Sequence, residues 1–138
     1  MIFWKCLQKL PKGTNVLFAS EVKIREKTIR DDAKFFEEVY GFDPLDGYNI
    51  RFILYQSLYK TTIQEIFPDS ESTFICCDEV QDLLTDKRIL FIRNSNLENV
   101  KILCLTATIN KRMKYLVQGE EITKRRFIKS ICTSYLYL

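Results

Sequence analysis

No histidine occurs anywhere in the 138 residues, and glycine and proline are scarce, at four and three. The missing histidine removes the commonest general base and the usual activator of a cysteine nucleophile. The five cysteines, Cys6, Cys76, Cys77, Cys104 and Cys132, include no Cys-x-x-Cys pair. Together these two absences argue against a zinc site. An odd cysteine count, set mostly inside apolar runs, predicts buried free thiols in a reducing compartment. No apolar run approaches the ~18 residues of a membrane helix. Met1-Ile-Phe-Trp is followed at once by Lys5, so no signal-peptide core develops. The expected setting is the cytoplasm, with no membrane partner.

The rest of the composition is that of a folded domain. Hydrophobic residues make up 46% and charged residues 28%, a balance that excludes a disordered chain. The length suits one domain over 1–138, large enough for a real core. The formal net charge of +3 is too small to argue for nucleic acid by itself.

Along the chain, Ile2 to Leu10 reads as a short helix stopped by Pro11-Lys12-Gly13. Asn15 to Ala19 is a continuous apolar run of strand length, as in a sheet buried on both faces. Glu21 to Tyr40 is a long charged helix closed by Gly41, with Val22, Ile24, Thr28, Ile29, Ala33, Phe36 and Val39 as its apolar stripe. Tyr48 to Tyr55 is a second strand, and Ser57 to Phe67 a helix ending at Pro68. Thr73 to Cys77 is a third strand. Leu83 to Asn94 is a helix with Leu84, Ile89, Leu90 and Ile92 toward the core, and Val100 to Leu105 a fourth strand. Short helices are expected at Lys111 to Val117 and Ile122 to Lys129, and a fifth strand at Ile131 to Leu138. Buried strands alternating with helices predict an α/β fold with a largely parallel sheet.

Phe74-Ile-Cys-Cys-Asp-Glu-Val-Gln-Asp82 is the stretch that carries chemistry. A strand-type run ends there in two adjacent carboxylates, which places acids at the rim of a sheet, where a metal-bound phosphate can sit. A second run, Val100 to Leu105, ends in Thr106-Ala107-Thr108. The pair resembles motifs II and III of the superfamily 2, or DExD/H-box, helicases: Asp-Glu-x-His or Asp-Glu-x-Gln, then Ser/Thr-Ala-Thr. Gln81 stands where His is commoner. Superfamily 1 also uses Gln there, but its motif III is usually Gly-Asp-x-x-Gln, unlike Thr106-Ala107-Thr108. Two weaker likenesses precede these. Val16-Leu-Phe-Ala-Ser20, followed by Lys23 and Arg25, resembles motif Ia. Tyr55-Gln56-Ser57-Leu58 resembles the Thr-Tyr-Gln-Ser-Leu form of motif Ic, with Leu54 in place of the Thr and so without one phosphate contact. The alignment spans roughly 14–110.

The resemblance implies a first RecA-like domain, with Mg and ATP as cofactors and nucleic acid, DNA or RNA, as partner. It implies that Asp78 holds Mg, usually through water, and that Glu79 polarises the attacking water. Gln81 completes motif II, and Thr106, Ala107 and Thr108 couple the nucleotide site to the nucleic-acid path. Ser20, Lys23, Gln56 and Ser57 would hold one strand by its phosphates. Lys124-Arg125-Arg126 with Lys129 is the one basic cluster, expected as a solvated helix face. Trp4, Tyr135 and Tyr137 are expected in packing rather than base stacking.

One part of the family pattern is absent. No Gly-x-x-x-x-Gly-Lys-Ser/Thr occurs, so the backbone cradle, lysine and metal-binding hydroxyl for a triphosphate are missing. The chain looks like a first helicase domain that begins just after its own phosphate loop, without the second RecA-like domain. It is therefore expected not to hydrolyse ATP alone. The alternatives are a stand-alone, non-catalytic module that binds nucleic acid or a protein and mimics or blocks a larger machine, and an unrelated α/β domain with surface acids. In the family's sheet the missing strand lies beside the motif III strand. Val100 to Leu105 would then be an exposed apolar edge, to be covered by Ile131 to Leu138, a second copy or a partner chain.

Overall fold

The computed structural model describes residues 2–69, 72–105 and 132–137, the last six by backbone alone. Five strands form the sheet: β1 (Asn15–Ser20), β2 (Asn49–Leu54), β3 (Thr73–Asp78), β4 (Val100–Leu105) and β5 (Cys132–Tyr137). Their order is β2-β1-β3-β4-β5, and every neighbouring pair is parallel. Parallel pairing accounts for the apolar runs. β1 is buried at all six positions and β3 at its first five, because both faces are covered.

The helices divide between the two faces. The connection from β1 to β2 and the connection from β3 to β4 run in opposite directions across the sheet. Crossovers of one hand therefore put α2 (Ile24–Tyr40) and α5 (Leu90–Asn94) on opposite sides. Alternate strand residues follow suit. Val16, Phe18, Phe74, Cys76 and Leu103 pack with Phe3, Trp4 and Leu7 of α1 (Ile2–Gln8) and with Ile29 and Ala33 of α2. Leu17, Ala19, Ile75, Cys77, Ile102 and Cys104 pack with the other side. That side holds α3 (Tyr55–Leu58), α4 (Ile63–Ile66), a 3-10 turn (Val80–Asp82) and α5. Cys6, Cys76, Cys77 and Cys104 are buried and in no disulfide, as their apolar settings predicted.

Several polar links fix the helices. The Tyr48 hydroxyl lies 2.8 Å from the Leu7 carbonyl and 2.9 Å from that of Leu10, which ties the end of α1 to the start of β2. The buried Ser95 hydroxyl donates to the Phe91 carbonyl at 2.6 Å and accepts the Ile63 N–H at 2.9 Å, joining α5 to the start of α4. α2 stops at Gly41, whose φ of 79° lets its N–H reach the Glu37 carbonyl at 2.9 Å.

The structure corrects three expectations. The helix expected over Ser57 to Phe67 is two short helices, because Thr62 takes extended backbone and accepts the Glu65 N–H, starting a second one. Leu83 to Asn94 is helical only from Leu90. Leu84, Ile89 and Ile92 are buried as expected, but Leu90 is 36% exposed. Only Ile29 and Ala33 of the α2 stripe are buried, while Val22, Ile24 and Val39 face solvent. The expected fifth strand forms and covers the β4 edge: β5 pairs with β4 in parallel from Ile102 to Leu105, with a register shift between Ile102 and Cys104. Of the three expected covers, the chain's own C-terminal segment fills the place. The helices expected at Lys111 to Val117 and Ile122 to Lys129, and the basic cluster at 124–129, lie outside the described residues. Among the described residues no helix is long and apolar enough to cross a membrane.

The β4–β5 pairing is testable. As an edge, β4 would turn roughly every second amide to water. With β5 in place, the amides of Ile102 to Leu105 should all exchange slowly with deuterium, and a chain ending at Ile131 should lose that protection. Fast exchange at alternate β4 amides in the intact chain would contradict the pairing.

Candidate functional site

Register decides what the strands bring together. Ser20 of β1 pairs with Leu54 of β2, Ala19 with Cys77, and Asp78 of β3 with Leu105 of β4. Four parallel strands thus end level along one rim, the side of an open α/β sheet where ligands bind. The rim carries Ser20, the Tyr55-Gln56-Ser57 turn and Asp78-Glu79 within three adjacent strand ends. Thr106, Ala107 and Thr108 follow β4 but lie outside the described residues.

Asp78 is the last residue of β3, and its side chain is 16% exposed. Arg25, in the first turn of α2, donates from Nε to Asp78 Oδ2 at 2.9 Å. Burial pushes the Asp78 carboxyl above its ordinary range, and the charges of Glu79 and Asp82 push the same way against Arg25. Glu79 follows with φ of 50°, the left-handed region that non-glycine residues seldom enter. This bend turns the chain from strand into the 3-10 turn, and the Glu79 carboxylate accepts a hydrogen bond from Gln81 Nε2 at 2.5 Å. So Asp78, Glu79 and Gln81 do converge at one corner of the rim.

Residues outside the sequence-derived set organise this corner. The fully buried Tyr55 ring passes beneath β1, and its hydroxyl donates to the Asp78 carbonyl at 2.5 Å. Burial raises the Tyr55 phenol well above its usual range, so it stays a donor at neutral pH. Arg88 donates to both carboxylate oxygens of Glu21 and, at 2.9 Å, to the Asp82 carbonyl. Asp82 itself is raised by burial and by Glu21 and Glu79, with Arg88 opposing. The acids of the rim are therefore interleaved with two arginines. Arg25 carried a weak signal as part of the motif Ia likeness. The pairing of Arg88 with Glu21 left none, because the two are distant in sequence.

The remaining site residues sit at the same end with less enclosure. The Ser20 hydroxyl is buried and donates to the Val22 carbonyl at 3.0 Å, which braces the β1–α2 loop. Lys23 is exposed and, with Ser20, Glu26 and Phe52, borders a cavity of about 220 Å³ between α2 and the ends of β1 and β2. Gln56 and Ser57 are exposed on the first turn of α3.

The Mg and ATP that the helicase resemblance implies do not fit the described residues. The carboxylate assigned to the metal is engaged by an arginine of its own chain, and the sequence contains no phosphate cradle. Among the described residues no cluster of three or more cysteine, aspartate or glutamate side chains has metal-binding geometry. No family model, no curated protein and no solved structure matches the chain.

The Arg25–Asp78 contact can be read by titration. Because the folded Asp78 holds its proton more tightly than the unfolded chain does, stability falls as pH rises from the ordinary carboxylate range through the folded value. Arg25→Ala removes the group that opposes this shift. It should raise the Asp78 pKa further and lower stability near neutral pH by about 1 kcal/mol, a modest figure because Arg25 is half exposed. Carboxyl carbon NMR across the titration checks it, and an unchanged Asp78 pKa would show that the ion pair does not form in solution.

Proposed function

We propose that this chain is a RecA-like domain of the superfamily 2 helicase type, serving nucleotide-driven movement on nucleic acid without hydrolysing ATP on its own. The observation that carries the reading is the shared rim. Three stretches resembling motifs Ia, Ic and II fall on the level ends of adjacent parallel strands, with β1 between the other two. Ser20, Lys23, Gln56 and Ser57 are the phosphate-holding residues in this reading. Asp78, Glu79 and Gln81 form the inherited nucleotide corner, and the Thr106-Ala107-Thr108 stretch is its link to nucleic acid.

A second reading has its own observation. Arg25 neutralises Asp78 within the chain, which suits a stand-alone binding module whose acids are structural. In that reading the rim engages nucleic acid, or blocks a larger machine, with no nucleotide step.

Two measurements separate these. Melting of the purified chain with and without Mg-ATP tests the nucleotide corner, since a ligand bound only to the folded state raises the melting temperature by mass action. No shift is expected, and no ATP turnover. A rise that Asp78→Ala abolishes would show that a nucleotide site survives without the phosphate loop, and turnover lost in Glu79→Gln would overturn the non-hydrolysing assignment.

Fluorescence anisotropy with single-stranded DNA and RNA oligonucleotides at low salt tests the rim. Binding should weaken with added salt, and Lys23→Glu should weaken it about tenfold through lost phosphate attraction. Gln56→Ala should weaken it less. Absence of binding to either nucleic acid would leave an unrelated α/β domain as the better description.

A further inference from the structure

Helix α2 carries a second apolar stripe that the sheet does not use. Ile29 and Ala33 are buried against the strands, whereas Ile24, Phe35 and Val39 are 62%, 61% and 52% exposed. With Thr28, these three recur four, seven and four residues apart, so they line one side of the helix about a third of a turn from the buried side. Asp31 and Asp32 lie at the middle of this side, between the Ile24 and Phe35 turns, and large apolar side chains left exposed on both flanks of them are the kind of surface a contact site uses.

The charges of α2 say what the contact is. Its first seven residues hold Arg25, Lys27 and Arg30 against Glu26. Its remainder holds Asp31, Asp32, Glu37 and Glu38 against Lys34. This is the reverse of what the helix's own dipole favours, and the last turn contains no basic residue. The pattern weakens the isolated helix, yet it complements a second helix of the same sequence running the opposite way.

We infer that this face is the interface of a homodimer in which α2 packs antiparallel on α2 of a second copy. A two-fold axis near the middle of the helix sets Ile24 against Val39 of the second copy and Thr28 against its Phe35. The neighbouring row, Lys27, Asp31, Lys34 and Glu38, then meets its own reversal. Lys27 falls beside Glu38 of the second copy, and Asp31 beside its Lys34. Parallel pairing would instead set Lys27 against Lys27. Within one chain, Lys27 Nζ already lies 2.7 Å from Asp31 Oδ2 on an exposed surface, so dimerisation extends an existing ion pair into a row across both helices. Isologous contacts are self-complementary in this way. A helix of 17 residues is about 25 Å long, which makes a small interface and a dimer of about micromolar strength, weakened by salt.

Sedimentation equilibrium of the full chain at low salt, from about 1 to 300 µM, tests this. The wild type should pass from monomer to dimer over that range. Phe35→Glu should stay monomeric with unchanged circular dichroism and melting, because Phe35 is exposed in the monomer. Lys27→Glu should weaken association about tenfold, and Lys27→Glu with Glu38→Lys should restore it, since the pair is then reversed but still opposite in sign. A wild type that stays monomeric throughout overturns the proposal. So does a Phe35→Glu chain that dimerises normally, or a double variant no tighter than the single one.

Discussion

Parallel pairing of β1 between β2 and β3 is the constraint on which the rest depends. A parallel strand can be reached only by a crossover, and crossovers bring helices onto both faces. With both faces covered, β1 and β3 must be apolar between their ends, and Val16 to Ala19 and Phe74 to Cys77 are. With all strands pointing one way, every strand end must fall on the same side. The rim of Ser20, Leu54, Asp78 and Leu105 is thus a result of topology before it is a result of any particular side chain.

Putting acids at such a rim has an electrostatic cost, and the chain offsets it with its own cations. Asp78 and Asp82 are both pushed toward protonation by burial and by neighbouring carboxylates. Arg25 and Arg88 oppose that push from two different elements, one on α2 and one before α5. Tyr55 adds a buried, permanently protonated donor beneath the Asp78 backbone. The corner is therefore preorganised around acids that are already compensated. A cation entering from solution would have to compete with a guanidinium held 2.9 Å away.

The sequence made legible what repeats locally. Continuous apolar runs announced the buried strands, and Gly41 announced the end of α2. The adjacency of Asp78 and Glu79 at a strand end was visible for the same reason. What was hidden depends on contacts between distant residues. The break at Thr62 arises because an extended residue caps a new turn there and Ser95 accepts the Ile63 N–H, which no window around Ser57 to Phe67 contains. Glu21 with Arg88 and Tyr55 with the Asp78 carbonyl are hidden in the same way. The α2 stripe misled for a different reason: periodicity reports an apolar face but not what covers it. Helical spacing counted Ile24 and Val39 with Ile29 and Ala33, although only the latter two meet the sheet.

α2 shows why the covered and uncovered faces must be treated together. One side of this helix anchors the sheet through Ile29 and Ala33, its first turn sends Arg25 to the acidic rim, and its outer side presents Ile24, Phe35 and Val39. Its charge order opposes the helix dipole, so its stability comes from tertiary packing more than from the segment itself. A helix held in place by the sheet can carry an outer surface that a free helix could not. One helix thus serves the sheet, the acidic rim and the outer surface at once, through different sides of the same turns.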